Sequence, residues 1–157
     1  MVTILKVDNA ASAADLDRRY ALLNHHVVAL YHNKECPPCK LMMPAWTAAC
    51  AKFKSEYDSK CKNNNQKVVI ANVDENGIQH LEKVYKDVQS TPTIAHLHHG
   101  TVTKYEGGRS EEAFLTWLNS TLGSHNSQGG RKKKSRSVRR VRLGLKTRRK
   151  NRTNRRR

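Results

Sequence analysis

Cys36 and Cys39 are separated by Pro37 and Pro38 and followed by Lys40. Two cysteines at this spacing can exchange electrons with a disulfide, or supply half of a four-thiolate zinc site. The surrounding sequence bears on the choice. Upstream, His26-Val27-Val28-Ala29-Leu30-Tyr31 is a mostly apolar run that reads as a strand buried on both faces. Downstream, Met42, Met43, Trp46, Ala49 and Phe53 recur at helical spacing to about Lys60. The pair therefore falls where a strand ends and a helix begins. There the unpaired N–H groups and the helix dipole favour a thiolate at Cys36. Cys36 would attack a substrate disulfide, and Cys39, one turn on, would resolve the mixed disulfide. Pro37 and Pro38 remove two backbone donors and stiffen the turn, while Pro44 is expected to kink the helix. Glu35 should raise the Cys36 pKa, and Lys34 and Lys40 should lower it.

The zinc alternative needs two more ligands. Cys50 and Cys61 complete the count but stand singly, without the second close pair of typical zinc sites. A helix would also carry Cys50 about 15 Å from the motif. Cys50 reads as a small core residue, and Cys61, between Lys60 and Lys62, as an exposed, oxidisable thiol. His96 and His98 would share one face of a strand and His99 the other, so the three do not converge on a metal. His96 is then a core or near-core residue, with His98-His99 in solvent before a hairpin turn. Trp46 and Trp117, among apolar neighbours, read as core. No metal site is assigned.

The elements that must position the motif follow from periodicity. Val2 to Val7 reads as a strand. Ser12, with Asp15 three residues on, opens a helix over residues 12–24 carrying Leu16, Tyr20 and Leu23. Asn63-Asn64-Asn65 is a loop, and Lys67 to Val73 a third buried strand. Ile78, Leu81, Val84 and Tyr85 suggest a short helix. A turn at Ser90–Thr93 leads to a strand from Ile94 to His98, which Gly100 turns back into Val102–Tyr105. Ser110, Glu111 and Glu112 open a last helix carrying Phe114, Leu115, Trp117, Leu118 and Leu122. Alternating strands and helices followed by a hairpin imply an α/β fold, a mixed sheet flanked by helices on both faces.

Charge divides the chain differently. Its 157 residues carry a formal net charge of +17. Residues 131–157 hold 16 Lys and Arg and no acid, leaving 14 basic and 13 acidic residues in 1–130. Three segments follow: a globular domain over residues 1–122, a flexible linker over 123–130 and a disordered basic tail over 131–157. Arg131, Lys132, Lys133, Lys134, Arg139, Arg140, Arg148, Arg149 and Lys150 could neutralise phosphates in strongly salt-dependent, sequence-independent binding. The tail has no Trp, Tyr or Phe to stack on bases. Its basic clusters also suit nuclear import, and Val138, Val141 and Leu145 would line one face of a helix induced on an anionic membrane, which Gly144 weakens. Ser135 and Ser137, once phosphorylated, would weaken any of these contacts. No stretch is long and apolar enough to span a membrane. The N-terminus lacks a basic n-region and a cleavage site, so the expected location is cytoplasmic or nuclear, or inside a virus particle, and not secreted.

The motif and its setting resemble the thioredoxin family, over about Val2 to Leu122. The resemblance rests on Cys36-Pro37-Pro38-Cys39-Lys40 after a buried strand, the helix proline Pro44, and Val73-Asp74 closing the third strand. Thr91-Pro92-Thr93 resembles the family's cis-proline loop, and Lys104-Tyr105-Glu106-Gly107-Gly108-Arg109 the strand ending of the protein disulfide isomerase branch. It implies a thioredoxin fold and a thiol–disulfide oxidoreductase that reduces or exchanges protein disulfides. Cys36 and Cys39 would be the catalytic residues, with Thr91 and Pro92 presenting the substrate chain. It also implies an upstream thiol reductant, no cofactor beyond the dithiol, and a monomer. Three departures stand out. Glu35 replaces the usual Trp, Leu30 replaces the buried acid that assists the second cysteine, and Ile70 replaces the lysine often paired with that acid. Losing acid and lysine together avoids an unpaired buried charge. It leaves the proton acceptor for Cys39 open, with His32 a candidate substitute. The alternative is a non-catalytic thioredoxin-fold protein that binds nucleic acid or serves as a nuclear or virion structural component.

Overall fold

The computed structural model describes residues 1–22, 24–60 and 66–123. Leu23, Cys61, the Asn63–Asn65 loop, the linker from 124 and the basic tail lie outside the described residues. The elements run β1 (Val2–Val7), α1 (Ala10–Tyr20), β2 (His25–His32), α2 (Pro37–Lys60), β3 (Lys67–Asp74), α3 (Glu75–Ile78), β4 (Thr93–His98), β5 (Thr101–Lys104) and α4 (Glu111–Leu122). The sheet order is β1-β3-β2-β4-β5. β1, β3 and β2 are mutually parallel, while β4 and β5 pair antiparallel. The expected mixed sheet flanked by helices is present.

Side chains of the central strands alternate between two cores, as the period of two requires. Val28 and Leu30 with Val68 and Ile70 face α2 and α4, packing on Trp46, Phe53, Phe114 and Leu118. Val27, Ala29 and Tyr31 with Val69, Ala71 and Val73 face the other way, onto Leu16 of α1, Leu81 and Leu97. β3 and β4 pair with both edges of β2 while α2 and α4 cover one face and α1 the other, which is why its sequence from Val27 to Tyr31 is a continuous apolar run.

The details correct several expectations. α1 begins at Ala10 because Asn9, not Ser12, is its cap. The Asn9 side chain accepts from the Ser12 N–H at 2.9 Å, and the Ser12 hydroxyl takes the Asn9 N–H in return. The helix ends at Tyr20, short of residue 24. Ile78, Leu81, Val84 and Tyr85 do not form a helix, since α3 stops at Ile78. Beyond it the chain is irregular, and the carboxylate of Asp17 holds it. That group accepts the backbone N–H of Glu82 at 2.8 Å, Lys83 at 3.0 Å and Val84 at 2.8 Å. Leu81 and Val84 are buried by this tether instead of by helical geometry. β2 extends through His32, and α2 begins at Pro37 and continues past Pro44 to Lys60. His99 and Gly100 both have positive φ, 49° and 77°, which matches the two-residue turn favoured between twisted strands.

Candidate active site

β2 ends at His32, and residues 33–36 carry the chain to the start of α2. Asn33 shapes this connection. Its Oδ1 accepts the Glu35 N–H at 2.7 Å, its carbonyl accepts the Cys36 N–H at 3.2 Å, and its Nδ2 donates to Glu75. The Cys36 carbonyl then accepts the N–H groups of Cys39 and Lys40, both at 3.1 Å, starting α2. Pro37 opens the helix where its missing N–H costs nothing. The two sulfurs lie 2.6 Å apart.

Their surroundings differ. Cys36 is partly exposed and Cys39 is buried. The Cys39 thiol donates to Cys36, and this more than anything else holds the Cys36 thiol below its ordinary value, with the guanidinium of Arg109 adding to it. Burial pushes the Cys39 thiol up, and the shared hydrogen bond, which favours Cys36 as thiolate, pushes it further. The pair is thus arranged as an attacking thiolate beside a protonated partner.

The chain on the open side comes from far along the sequence. The Thr91–Pro92 peptide bond is cis, and the Thr91 carbonyl oxygen lies 3.5 Å from Cys36 Sγ. Beside Pro92 is a cavity of about 200 Å³ lined also by Met42, Ile94, Tyr105, Arg109 and Phe114. The loop bearing Arg109 is fixed by Tyr105, whose hydroxyl donates to the Gly108 carbonyl at 2.6 Å. A Cβ on Gly107 would sit 2.5 Å from that hydroxyl oxygen, so only glycine lets the loop fold over the ring. Leu41, next to the motif on α2, is 83% exposed.

The other side holds a larger, mostly apolar cavity of about 750 Å³, into which His32, Cys39, Lys34, Lys40, Met43 and Pro44 open. At the end of β3 Asp74 is buried, with Oδ1 accepting the Asn76 N–H at 3.2 Å and Oδ2 3.3 Å from the Lys34 ammonium. Burial pushes the Asp74 carboxyl up, but the Asn76 N–H and Lys34 outweigh it and the net shift is downward. His32 and Asp74 are register partners across β2 and β3.

Most of the residues singled out from sequence therefore surround one place: Cys36, Cys39, Pro37, Pro38, Lys40, His32, Pro44, Thr91 and Pro92. Arg109 and Asp74, which the sequence pattern marks only as parts of strand ends, also belong to this place. Lys34 is drawn to Asp74, so the side-chain cation that acts on Cys36 comes from Arg109. Leu30 and Ile70 are both buried on the α2 face, and the half-buried Asn72, two residues beyond Ile70 on β3, accepts the Trp46 indole N–H at its Oδ1 at 2.8 Å. Cys50 is buried and its thiol is pushed up to about 12 by burial. His98 is half-buried, while His99 is exposed. His98 stacks on His26 at 3.7 Å between centroids, and His26 Nδ1 is 3.1 Å from His96 Nε2. Among the described residues no group of three or more His, Cys, Asp or Glu is arranged to hold a metal ion. No described helix is long and apolar enough to cross a membrane.

A mixed five-stranded sheet, a dithiol at a strand-to-helix junction and a cis-proline loop against it define a thioredoxin-type domain. The thioredoxin family model matches residues 9–120, and the chain belongs to that family. Protein disulfide-isomerase tigA of Aspergillus niger is 36% identical over 100 residues, covering 60% of this chain and 25% of that protein. Protein disulfide-isomerase erp38 of Neurospora crassa is 31% identical over 98 residues, covering 60% of this chain and 24% of that protein. The chain thus spans about a quarter of the length of these curated relatives. Among solved structures, the first thioredoxin domain of mouse protein disulfide-isomerase A4 superposes with a TM-score of 0.51 at 18% identity, covering 86% of this chain and 83% of that one. The zinc-bound form of human ERp44 gives 0.55 at 21% identity, covering 75% and 31%. These two show the shared fold.

Proposed function

We propose that the protein is a thiol–disulfide oxidoreductase that reduces or exchanges disulfides in protein substrates. The observation that carries this reading is the pair of sulfurs 2.6 Å apart, one buried and one partly exposed beside the Thr91 carbonyl. Cys36 attacks as thiolate and forms a mixed disulfide with the substrate. Cys39 then closes the Cys36–Cys39 disulfide and releases the substrate thiol. The exposed Leu41 offers apolar surface to a substrate chain and the cavity by Pro92 offers it polar groups, and the names of the curated relatives agree with a protein disulfide as substrate. An upstream thiol reductant restores the dithiol.

The reading is tested by insulin disulfide reduction with dithiothreitol as donor. Wild-type protein accelerates it, and Cys36→Ser abolishes the acceleration; activity surviving that substitution refutes the mechanism. Direction depends on the Cys36–Cys39 reduction potential, since about 30 mV corresponds to about 1.4 kcal/mol for a two-electron couple.

The tail is proposed to tether this activity to a polyanion, most simply nucleic acid in the cytoplasm, the nucleus or a virus particle. Sixteen cations within residues 131–157 support this. Binding to DNA or RNA should fall steeply with salt and vanish when residues 124–157 are deleted, while insulin reduction persists. The same charge favours a second reading, in which the body is a non-catalytic scaffold for nucleic-acid binding. Under that reading Cys36→Ser changes nothing that the protein does.

A further inference from the structure

The family's buried acid is replaced by Leu30, so the proton that Cys39 must lose has no carboxylate to receive it from β2. Cys39 opens into the 750 Å³ cavity, and the residues lining that cavity include no carboxylate. Lys34 and Lys40 are cations without a lone pair to offer, and Asn33 and Thr47 are not bases at neutral pH. His32 is the remaining titratable side chain there. It is half-buried on the last residue of β2, in register with the buried carboxylate of Asp74 on β3.

We propose that His32 is the proton acceptor for Cys39 across this cavity, with Asp74 favouring the imidazolium that forms. The inference rests on the reading of Cys36 and Cys39 as a disulfide-exchange pair. In the resolving step the Cys39 S–H bond gives its proton to an imidazole nitrogen. The Cys39 thiolate attacks Cys36 Sγ, the Cys36–substrate S–S bond breaks and the Cys36–Cys39 S–S bond forms. The substrate sulfur leaves with the electron pair, so the dithiol is oxidised by two electrons and the substrate disulfide is reduced. The groups acting on His32 come from three elements. Burial lowers its pKa most, Asp74 on β3 opposes this, and Lys34 after β2 and Lys6 on β1 lower it further. The net leaves a neutral imidazole near pH 7, and the buried anion beside it offsets part of the cost of its protonation.

The test uses the full 157-residue chain. Decay of the mixed disulfide with a fluorescent peptide disulfide is followed from pH 6 to 10 in wild type, His32→Gln and His32→Phe. Resolution should slow about 10²-fold at pH 7 in both variants, the size of a general-base contribution. The deficit should shrink as the pH approaches 10, and iodoacetamide alkylation of Cys36 should be unchanged. Resolution within twofold of wild type, or an equal slowing at every pH, overturns the assignment. A second comparison does not depend on turnover. In Cys36→Ala, alkylation of Cys39 near pH 7 should fall about tenfold when His32→Gln is added, equivalent to about one pKa unit. Superimposable profiles overturn the proposal. Failure of the disulfide-exchange reading looks different, with wild-type protein forming no mixed disulfide while the Cys36→Ala comparison still decides the role of His32.

Discussion

On one side of the dithiol, Cys36 is partly exposed, next to the Thr91 carbonyl and under the influence of Arg109. On the other, Cys39 is buried against an apolar cavity edged by His32, the register partner of Asp74. The open side is assembled from loops some 55 and 73 residues downstream of Cys36. The closed side is built from the end of β2, the connection after it and the first half of α2. A four-residue motif therefore contains two half-sites with separate architects. They meet in the hydrogen bond that the two sulfurs share.

The largest effect should come from removing one sulfur at a time. Cys36→Ser should abolish disulfide reduction, while Cys39→Ser should still attack through Cys36 and accumulate a mixed disulfide visible on a non-reducing gel. Equal behaviour of the two variants would erase the distinction between the sides. Next comes a remote control. Asp17→Ala leaves three backbone N–H groups, that of Val84 buried, without their acceptor and should cost about 2–4 kcal/mol in urea unfolding. The alkylation profiles of both thiols should not move, and a shift in either would show that the half-sites depend on the far face of the sheet. A smaller change is expected from Arg109→Gln, which should lower Cys36 alkylation at pH 7 about threefold, the size of an exposed charge effect. Adding salt should narrow the gap between wild type and variant, because an exposed charge is screened.

The smallest effect concerns stability and pH. Burial holds His25 and His32 below their ordinary value of 6.5, so the unfolded chain binds more protons than the native one on acidification. Stability present above pH 6.5 should decline as the pH falls through that value toward the native ones. Urea midpoints at pH 8, 6 and 5 check this. His32→Gln should flatten part of the slope and His25→Gln the rest.

The element order and the dithiol were legible because they depend on short-range signals: an apolar run, a helical repeat and a four-residue motif. The segment after Ile78 was misread for a physical reason. Leu81 and Val84 show helical spacing, but the Asp17 carboxylate captures the N–H groups of residues 82–84 and holds them in an irregular path. A tether formed across 65 residues leaves no local trace. The first cap was misplaced because Asn9 and Ser12 cap reciprocally, and either residue read alone suggests a start. Arg109 was hidden for a similar reason. Its role depends on a loop folded over Tyr105, which the pair Gly107-Gly108 marks only as a strand end. His98 was placed in solvent because its stacking partner His26 belongs to a neighbouring strand.

One bond far from the sulfurs has a bearing on how the site tolerates change. The Trp46 indole and the Asn72 amide meet at 2.8 Å at the margin of a mostly apolar layer. Apolar contacts let a helix roll or slide over a sheet at small cost, whereas a directional bond permits one setting. That bond indexes α2 against β3, as a keyway indexes a shaft. The angle at which α2 delivers Cys39 to its cavity is therefore fixed seven residues further along the same helix. Substitutions at Trp46 or Asn72 that preserve folding will act as misalignments, dulling exchange without touching any reacting atom.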